Sequence, residues 1–278
     1  MNNEDLIKKL KKSGLKEAPV KAEKARAKAA LMKAHGEKFG REKRAQPVFY
    51  RYITAVAAVF AFSLLTFFVV DNMDDGDKFN RRGGIWSTYS DRLEGGDSVV
   101  WPPEHRESSD GFIMSSPGYG GAGYAVRVTG RTGSRFGLNY NYLGVVLRFD
   151  SDSYCPKCEG SDISKYSGIR FKIKGDLSNG ELSFVLPHES DECIAERMTC
   201  GSLTNYADYF ADISGRVGAS WKTVTIDFRN DLKQPFWTKE ENKTDIEEVL
   251  KTVHLFKWQY RNGDGGKMDI WIDNVELY

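Results

Sequence analysis

Residues 256–278 read FKWQYRNGDGGKMDIWIDNVELY. Two runs of alternating apolar and polar residues flank a stretch of Asn, Asp and Gly. Alternation with a period of two marks strands whose side chains point to opposite faces in turn. Phe256 and Trp258 therefore share one face, and Lys257 and Gln259 share the other. Working upstream, the same pattern recurs in YAVRVTG (124–130), LGVVLRF (143–149), GIRFKIKG (168–175), ELSFVLP (181–187) and WKTVTIDF (221–228). With HLFKWQY (254–260) and MDIWIDNVELY (268–278) this makes seven strands, separated by Gly, Asn, Asp and Ser. Only TDIEEVLKTV (244–253) has a helical pattern. Strands spaced this regularly over about 200 residues predict an all-β fold, a two-sheet antiparallel β-sandwich or jelly roll.

Upstream of these strands the chain changes character. The net charge of the 278 residues is +1, but residues 1–51 hold 15 Lys and Arg against 6 Asp and Glu. Residues 71–278 hold the other 25 basic and 33 acidic residues, a net of −8. Between them Tyr52–Val70, YITAVAAVFAFSLLTFFVV, carries no charge in 19 residues. About 20 apolar residues rising 1.5 Å each cross the ~30 Å hydrocarbon layer. Lys38, Arg41, Lys43, Arg44 and Arg51 flank the run on one side, and Asp71, Asp74, Asp75 and Asp77 on the other. The positive-inside rule then puts the N-terminus in the cytoplasm. The expected organisation is a basic, partly helical cytoplasmic tail at 1–48, a transmembrane helix at 49–70 and an outer domain at 71–278. The rival reading is a cleaved signal peptide, against which stand about 47 preceding residues and the absence of a small-x-small cleavage pattern.

The tail offers two helical segments. One is NEDLIKKLKKS (3–13), with Asn3 as cap and Gly14 as stop; the other runs from Pro19 to Gly36. Such helices suit anionic lipid or a cytoplasmic protein partner. A helical tail, one span and an outer sugar-binding domain loosely resemble membrane-bound anti-sigma regulators that sense polysaccharide.

The outer domain resembles the galactose-binding-like jelly rolls, and most closely family 11 carbohydrate-binding modules. The resemblance is carried in order by VVDNMDDGDKFNRRGGIWSTYSD (69–91), GYAVRVTG (123–130), NYLGVVLRF (141–149), DISKYSGIRFKIKG (162–175), WKTVTIDF (221–228) with Gln234-Pro235, and the closing 256–278 stretch. It implies a ligand lying across the concave face of one sheet. Tyr89, Tyr142 and Tyr260 match binding tyrosines, and Lys257 stands where the family has a histidine. Tyr suits the task, with an apolar body for sugar C–H groups and a polar tip for hydroxyls. Lys233 replaces an expected tyrosine and Asn230 stands near an expected arginine, so the resemblance does not carry the family's glucan specificity over to this chain; Trp237 and Tyr206 are alternative platforms. For each aromatic the competing expectation is core packing. The resemblance also implies a structural Ca²⁺ between the acidic opening loop, Asp74 with Asp77 nearby, and Asp273 in the last strand; a solvated acidic turn is the alternative.

All four cysteines lie in the outer part: Cys155 and Cys158 in CPKC, Cys193 and Cys200 in CIAERMTC. An even count in an oxidising compartment predicts two disulfides, with the three connectivities open. A four-cysteine zinc site would need a shorter second spacing.

The outer part has three His (105, 188, 254) and no G-x-S-x-G, P-loop or H-E-x-x-H motif. The expected function is therefore a non-catalytic, membrane-anchored protein that displays the jelly roll to bind polysaccharide, β-glucan-like, outside the cytoplasmic membrane in the periplasm or extracellular space. The alternative is a transmembrane regulator or envelope assembly protein that uses the same domain for protein contact. An acidic outer half excludes nucleic acid as the expected partner.

Overall fold

The computed structural model describes residues 67–104, 112–135, 141–149, 160–187, 203, 206–261 and 265–278. The chain divides into two compact units, Met1–Ala61 and Phe62–Tyr278, and the described residues all belong to the second. Among them no helix is long and apolar enough to cross a membrane. The cytoplasmic tail, most of the apolar run and all four cysteines lie outside the described residues.

Among the described residues eleven strands form two antiparallel sheets. The first has the order β3 (Val99–Trp101), β4 (Val126–Arg131), β11 (Lys267–Leu277), β6 (Gly168–Ser178), β9 (Lys222–Asp227), with β1 (Phe68–Asp71) also on β11. The second has the order β2 (Trp86–Ser90), β5 (Tyr142–Arg148), β10 (Leu255–Arg261), β7 (Glu181–Leu186), β8 (Tyr209–Asp212). The one α-helix described, α1 (Ile246–Lys251), starts at Asp245, whose side chain accepts from the Glu247 N–H. This is the standard way to satisfy an orphan donor of the first turn.

All seven strands read from alternation are present. Four short ones, β1, β2, β3 and β8, carry three to five residues each. One boundary needs correction: Phe68, Val69 and Val70 belong to the sandwich rather than to a membrane helix ending at 70. Val70 is fully buried in the core and Phe68 pairs with Leu277. β-Branched valines suit a strand as well as an apolar helix, so this boundary is invisible to hydropathy.

The inward side chains of both sheets interlock around a cluster of rings. Trp258 meets Trp86, Phe171 and Phe184 at centroid distances of 5.5, 5.3 and 5.5 Å. The turn after β1 is fastened by a buried carboxylate. Asp71 accepts from the Trp86 indole N–H at 2.7 Å and from the Met73 N–H at 2.8 Å. Burial pushes its pKa up to about 6 against those two stabilising bonds. On β11, Asn274 takes φ 49° where the register with β6 shifts. The edge of β11 changes partner across that point, from β4 to β1.

Candidate carbohydrate-binding face

Register decides which residues can form a site. On the second sheet Phe256, Trp258 and Tyr260 of β10 are buried in the core, so Lys257, Gln259 and Arg261 face outward. Pairing then sets two rows across this outer face. One runs Ser87, Val146, Lys257, Val185, Phe210; the other runs Tyr89, Gly144, Gln259, Ser183, Asp212. Tyr142 stands opposite Arg261 at the next level.

Tyr89 lies over Gly144. A Cβ at residue 144 would stand 2.8 Å from the Tyr89 Cε1 and 2.9 Å from its hydroxyl, so the close approach needs glycine. The Tyr142 ring packs beside it, with centroids 5.9 Å apart and planes tilted by 44°. With its amide set to satisfy both neighbours, Gln259 donates to the Tyr89 hydroxyl at 3.1 Å and accepts from Arg261 Nε and Nη2 at 2.6 and 2.8 Å. Lys257 Nζ lies 3.9 Å from Asp208 Oδ2 and 5.9 Å from the Tyr89 centroid. Burial raises the pKa of both tyrosines, with Glu94 adding to the effect at Tyr142, and lowers that of Lys257. Both phenols are therefore neutral at physiological pH, able to donate and accept while their rings offer apolar surface.

The other expected site residues fall in different places. Tyr260 is corrected. Its ring is in the core, its hydroxyl donates to the Ser178 carbonyl at 2.5 Å, and burial pushes its pKa up to about 12. Its parity with Phe256 and Trp258 dictates this, and the same parity brings forward Gln259 and Arg261. Trp237 is off the sheet, half-exposed in a turn between β9 and α1. Lys233 forms a bridge with Phe210 at the β8 edge, its Nζ 6.0 Å from that ring. Asp208 had no sequence signal; it becomes a neighbour of Lys257 only through the tertiary fold.

Asp74 and Asp273 reach the same glycine-rich loop. A Cβ at Gly123 would meet Asp74 Oδ1 at 2.7 Å, and one at Gly118 would meet Asp273 Oδ2 at 2.8 Å. Asp273 is buried and accepts from the Tyr119 N–H at 2.6 Å; desolvation foremost, and the Asp74 charge, raise its pKa. Asp77 instead closes its own turn, accepting from the Phe79 N–H at 2.7 Å. Among the described residues no three His, Cys, Asp or Glu side chains converge as a metal cluster. A hard cation here would rely on two carboxylates, with loop carbonyls for the remaining oxygens.

A groove of about 500 Å³ lies on the opposite sheet, lined by Lys174, Asp176, Val217, Gly218, Asp269 and Trp271 among others. Its indole is already flanked by Arg127 at 5.0 Å and Lys174 at 4.4 Å. The paired phenol rings, with Lys257 and Gln259 beside them, are on the second sheet, which is where the candidate site is assigned.

No family model matches the chain. Endoglucanase 3 of Fibrobacter succinogenes is 26% identical over 216 residues, covering 75% of this chain and 27% of the enzyme. The chain thus spans about a quarter of that relative's length. Among solved structures, the family 11 carbohydrate-binding module of the Clostridium thermocellum cellulase Lic26A-Cel5E aligns with a TM-score of 0.44 and 18% identity, over 76% of this chain and 93% of the module. A family 11 module of the same organism, in complex with a β-1,3-1,4-mixed-linked tetrasaccharide, gives 0.44 and 19%, over 76% and 95%. A family 30 carbohydrate-binding module gives 0.41 and 18%, over 66% and 91%. At these TM-scores the architecture rests on the strand pairing itself.

Proposed function

We propose that this chain is a non-catalytic carbohydrate-binding protein that displays its β-sandwich from a membrane anchor and holds polysaccharide on the outer face of the second sheet. The observation that carries the reading is the Tyr89–Tyr142 pair, with Gln259, Lys257 and Asp208 around it. Ring surface beside donors and acceptors of both kinds is the chemistry a sugar requires. The distant likeness to an endoglucanase supports a glycan as the ligand, a β-glucan first. The uncharged residues 52–67 that remain upstream of β1 support a single-pass anchor with the N-terminus inside and the domain outside the cytoplasmic membrane. A shallow face binds weakly by itself, and many copies in one membrane would add avidity. Asp74 and Asp273 would hold a structural calcium, and Cys155, Cys158, Cys193 and Cys200 would form two disulfides. The basic tail would meet lipid or a cytoplasmic partner.

A second reading, protein contact in a regulator or envelope assembly factor, draws on one feature. Gln259 and the Lys257 side chain are only 7% and 16% exposed, a recessed floor for a polymer.

A panel of polysaccharides titrated against the full chain separates the two. Binding to a glycan that weakens about tenfold or more in Tyr89→Ala and Tyr142→Ala supports the first reading. A folded chain that binds no polysaccharide supports the second, and one whose glycan affinity ignores both substitutions has its site on another surface.

A further inference from the structure

The outer face of the second sheet continues past its edge strand. Lys233 exchanges two backbone bonds with Phe210 of β8, at 3.0 and 3.1 Å, so its side chain joins Phe210 on the outer face. The next residue locks the chain in place. Gln234 donates to the Ala207 and Asn242 carbonyls at 2.9 and 3.3 Å and accepts from the Thr244 N–H at 3.1 Å. Immediately beyond, Thr238 N–H bonds to the Pro235 carbonyl at 2.9 Å and closes a turn with Phe236 and Trp237 at its tip. Phe236 is 100% exposed and Trp237 51%. On the segment that Gln234 grips, Tyr206 precedes Ala207, is 64% exposed and holds φ +59°. A bulky residue at positive φ is strained, and such strain concentrates at binding sites.

Three rings left half or more exposed on a braced edge gain little from packing, and single exposed apolar residues do not explain the bracing. A turn held by three bonds from one amide presents its rings in a fixed place, which lowers the ordering cost of a contact. We infer that Tyr206, Phe236 and Trp237 form a second sugar subsite that extends the Tyr89–Tyr142 face beyond β8. The ligand is then a polysaccharide chain running across the strands. From β2 to β8 the path crosses four strand-to-strand steps, roughly 19 Å at about 4.8 Å each, before it reaches the rim. That length suits an extended chain of several sugars and not a mono- or disaccharide. The inference rests on the carbohydrate-binding reading of this face.

The test is calorimetric titration of the full chain with mixed-linked β-1,3-1,4-glucan and its oligosaccharides, from trisaccharide to octasaccharide. In the double variant Phe236→Ser/Trp237→Ala the affinity for polymer and octasaccharide falls five- to twentyfold, while trisaccharide affinity stays as it was. Tyr89→Ala lowers both. Both substituted rings are at the surface, so the variant keeps its fold, checked by its melting temperature. Unchanged octasaccharide affinity in the double variant, with Tyr89→Ala still defective, overturns the rim subsite and leaves the face itself standing. A rim that alters self-association or vesicle binding, with octasaccharide affinity intact, serves another occupant and also overturns it. No glucan binding by the native chain removes both.

Discussion

The two outer faces of the sandwich are both rich in aromatic residues, yet they use them in opposite ways. On the first sheet Arg127, Trp271 and Lys174 stand opposite one another on three neighbouring strands, and Trp221 lies beyond them. The cations sit 4.4 to 5.0 Å from the indole centroids, so every second position in the row is a charge. Lys172 covers Tyr119 at 4.5 Å, and Tyr119 meets Trp221 edge-on at 5.9 Å. Trp271 has a cation on either side, and Arg127 is further tied to Asp269 at 2.7 Å. Each contact contributes about 0.5–1 kcal/mol at an exposed position. On the second sheet Tyr89 and Tyr142 pack against each other, and the nearest ammonium lies 5.9 Å from the Tyr89 centroid. Aromatic content therefore does not locate a site. What matters is how much of each ring's surface the protein's own cations already cover.

That contrast can be broken in several ways. The largest expected effect is on Tyr260, which belongs to neither face. Tyr260→Ala should lower stability by about 3–5 kcal/mol, the range for emptying a buried aromatic site. Tyr260→Phe loses only the bond to the Ser178 carbonyl, about 1 kcal/mol. Chemical denaturation measures both, and glycan affinity that falls selectively in the folded Phe variant would return this residue to the binding face.

Asp71 gives the next effect, through pH. Its folded pKa of about 6 lies above the ordinary 3.8, so the folded state holds the proton more tightly. Stability from this group is therefore greatest below pH 3.8 and is lost as pH rises through about 6. A rise of about two units corresponds to roughly 2–3 kcal/mol. Asp71→Asn should flatten that part of the stability–pH curve; an identical decline in the variant would assign it elsewhere.

Calcium comes third. At about ten times its dissociation constant a bound ion adds roughly 1.4 kcal/mol. Asp74→Ala and Asp273→Ala should each abolish the calcium-dependent rise in melting temperature. A native melting temperature that ignores chelator would speak against a metal. Smallest is Trp271→Ala, which removes two cation contacts and should cost about 1 kcal/mol with glycan affinity unchanged. A loss of affinity there would move the site to the first sheet.

The sequence carried the fold where strands were long enough to show their period. β6, GIRFKIKG onward, alternates cleanly, with Ile169, Phe171 and Ile173 inward and Arg170, Lys172 and Lys174 outward. β3 and β8 are too short for a period to emerge, and β1 lies in FFVVDNM, which can belong to the apolar helix or to a first strand. Half of the candidate face was legible in the same way. The parity that puts Lys257 outward also brings Gln259 and Arg261 out and sends Tyr260 in, whereas a positional resemblance assigned Tyr260 to the site. The remainder depends on tertiary approach, which no local pattern encodes. Asp208 reaches Lys257 across 49 positions of chain, and Tyr89 reaches Gln259 across 170.

The most direct test compares the faces in one experiment, by titrating a β-glucan into the full chain and four single variants of matched stability. Tyr89→Ala and Tyr142→Ala should each weaken binding about tenfold or more, while Trp221→Ala and Trp271→Ala leave it within about twofold. Loss of affinity confined to the two tryptophan variants would contradict the assignment of the binding face to the second sheet.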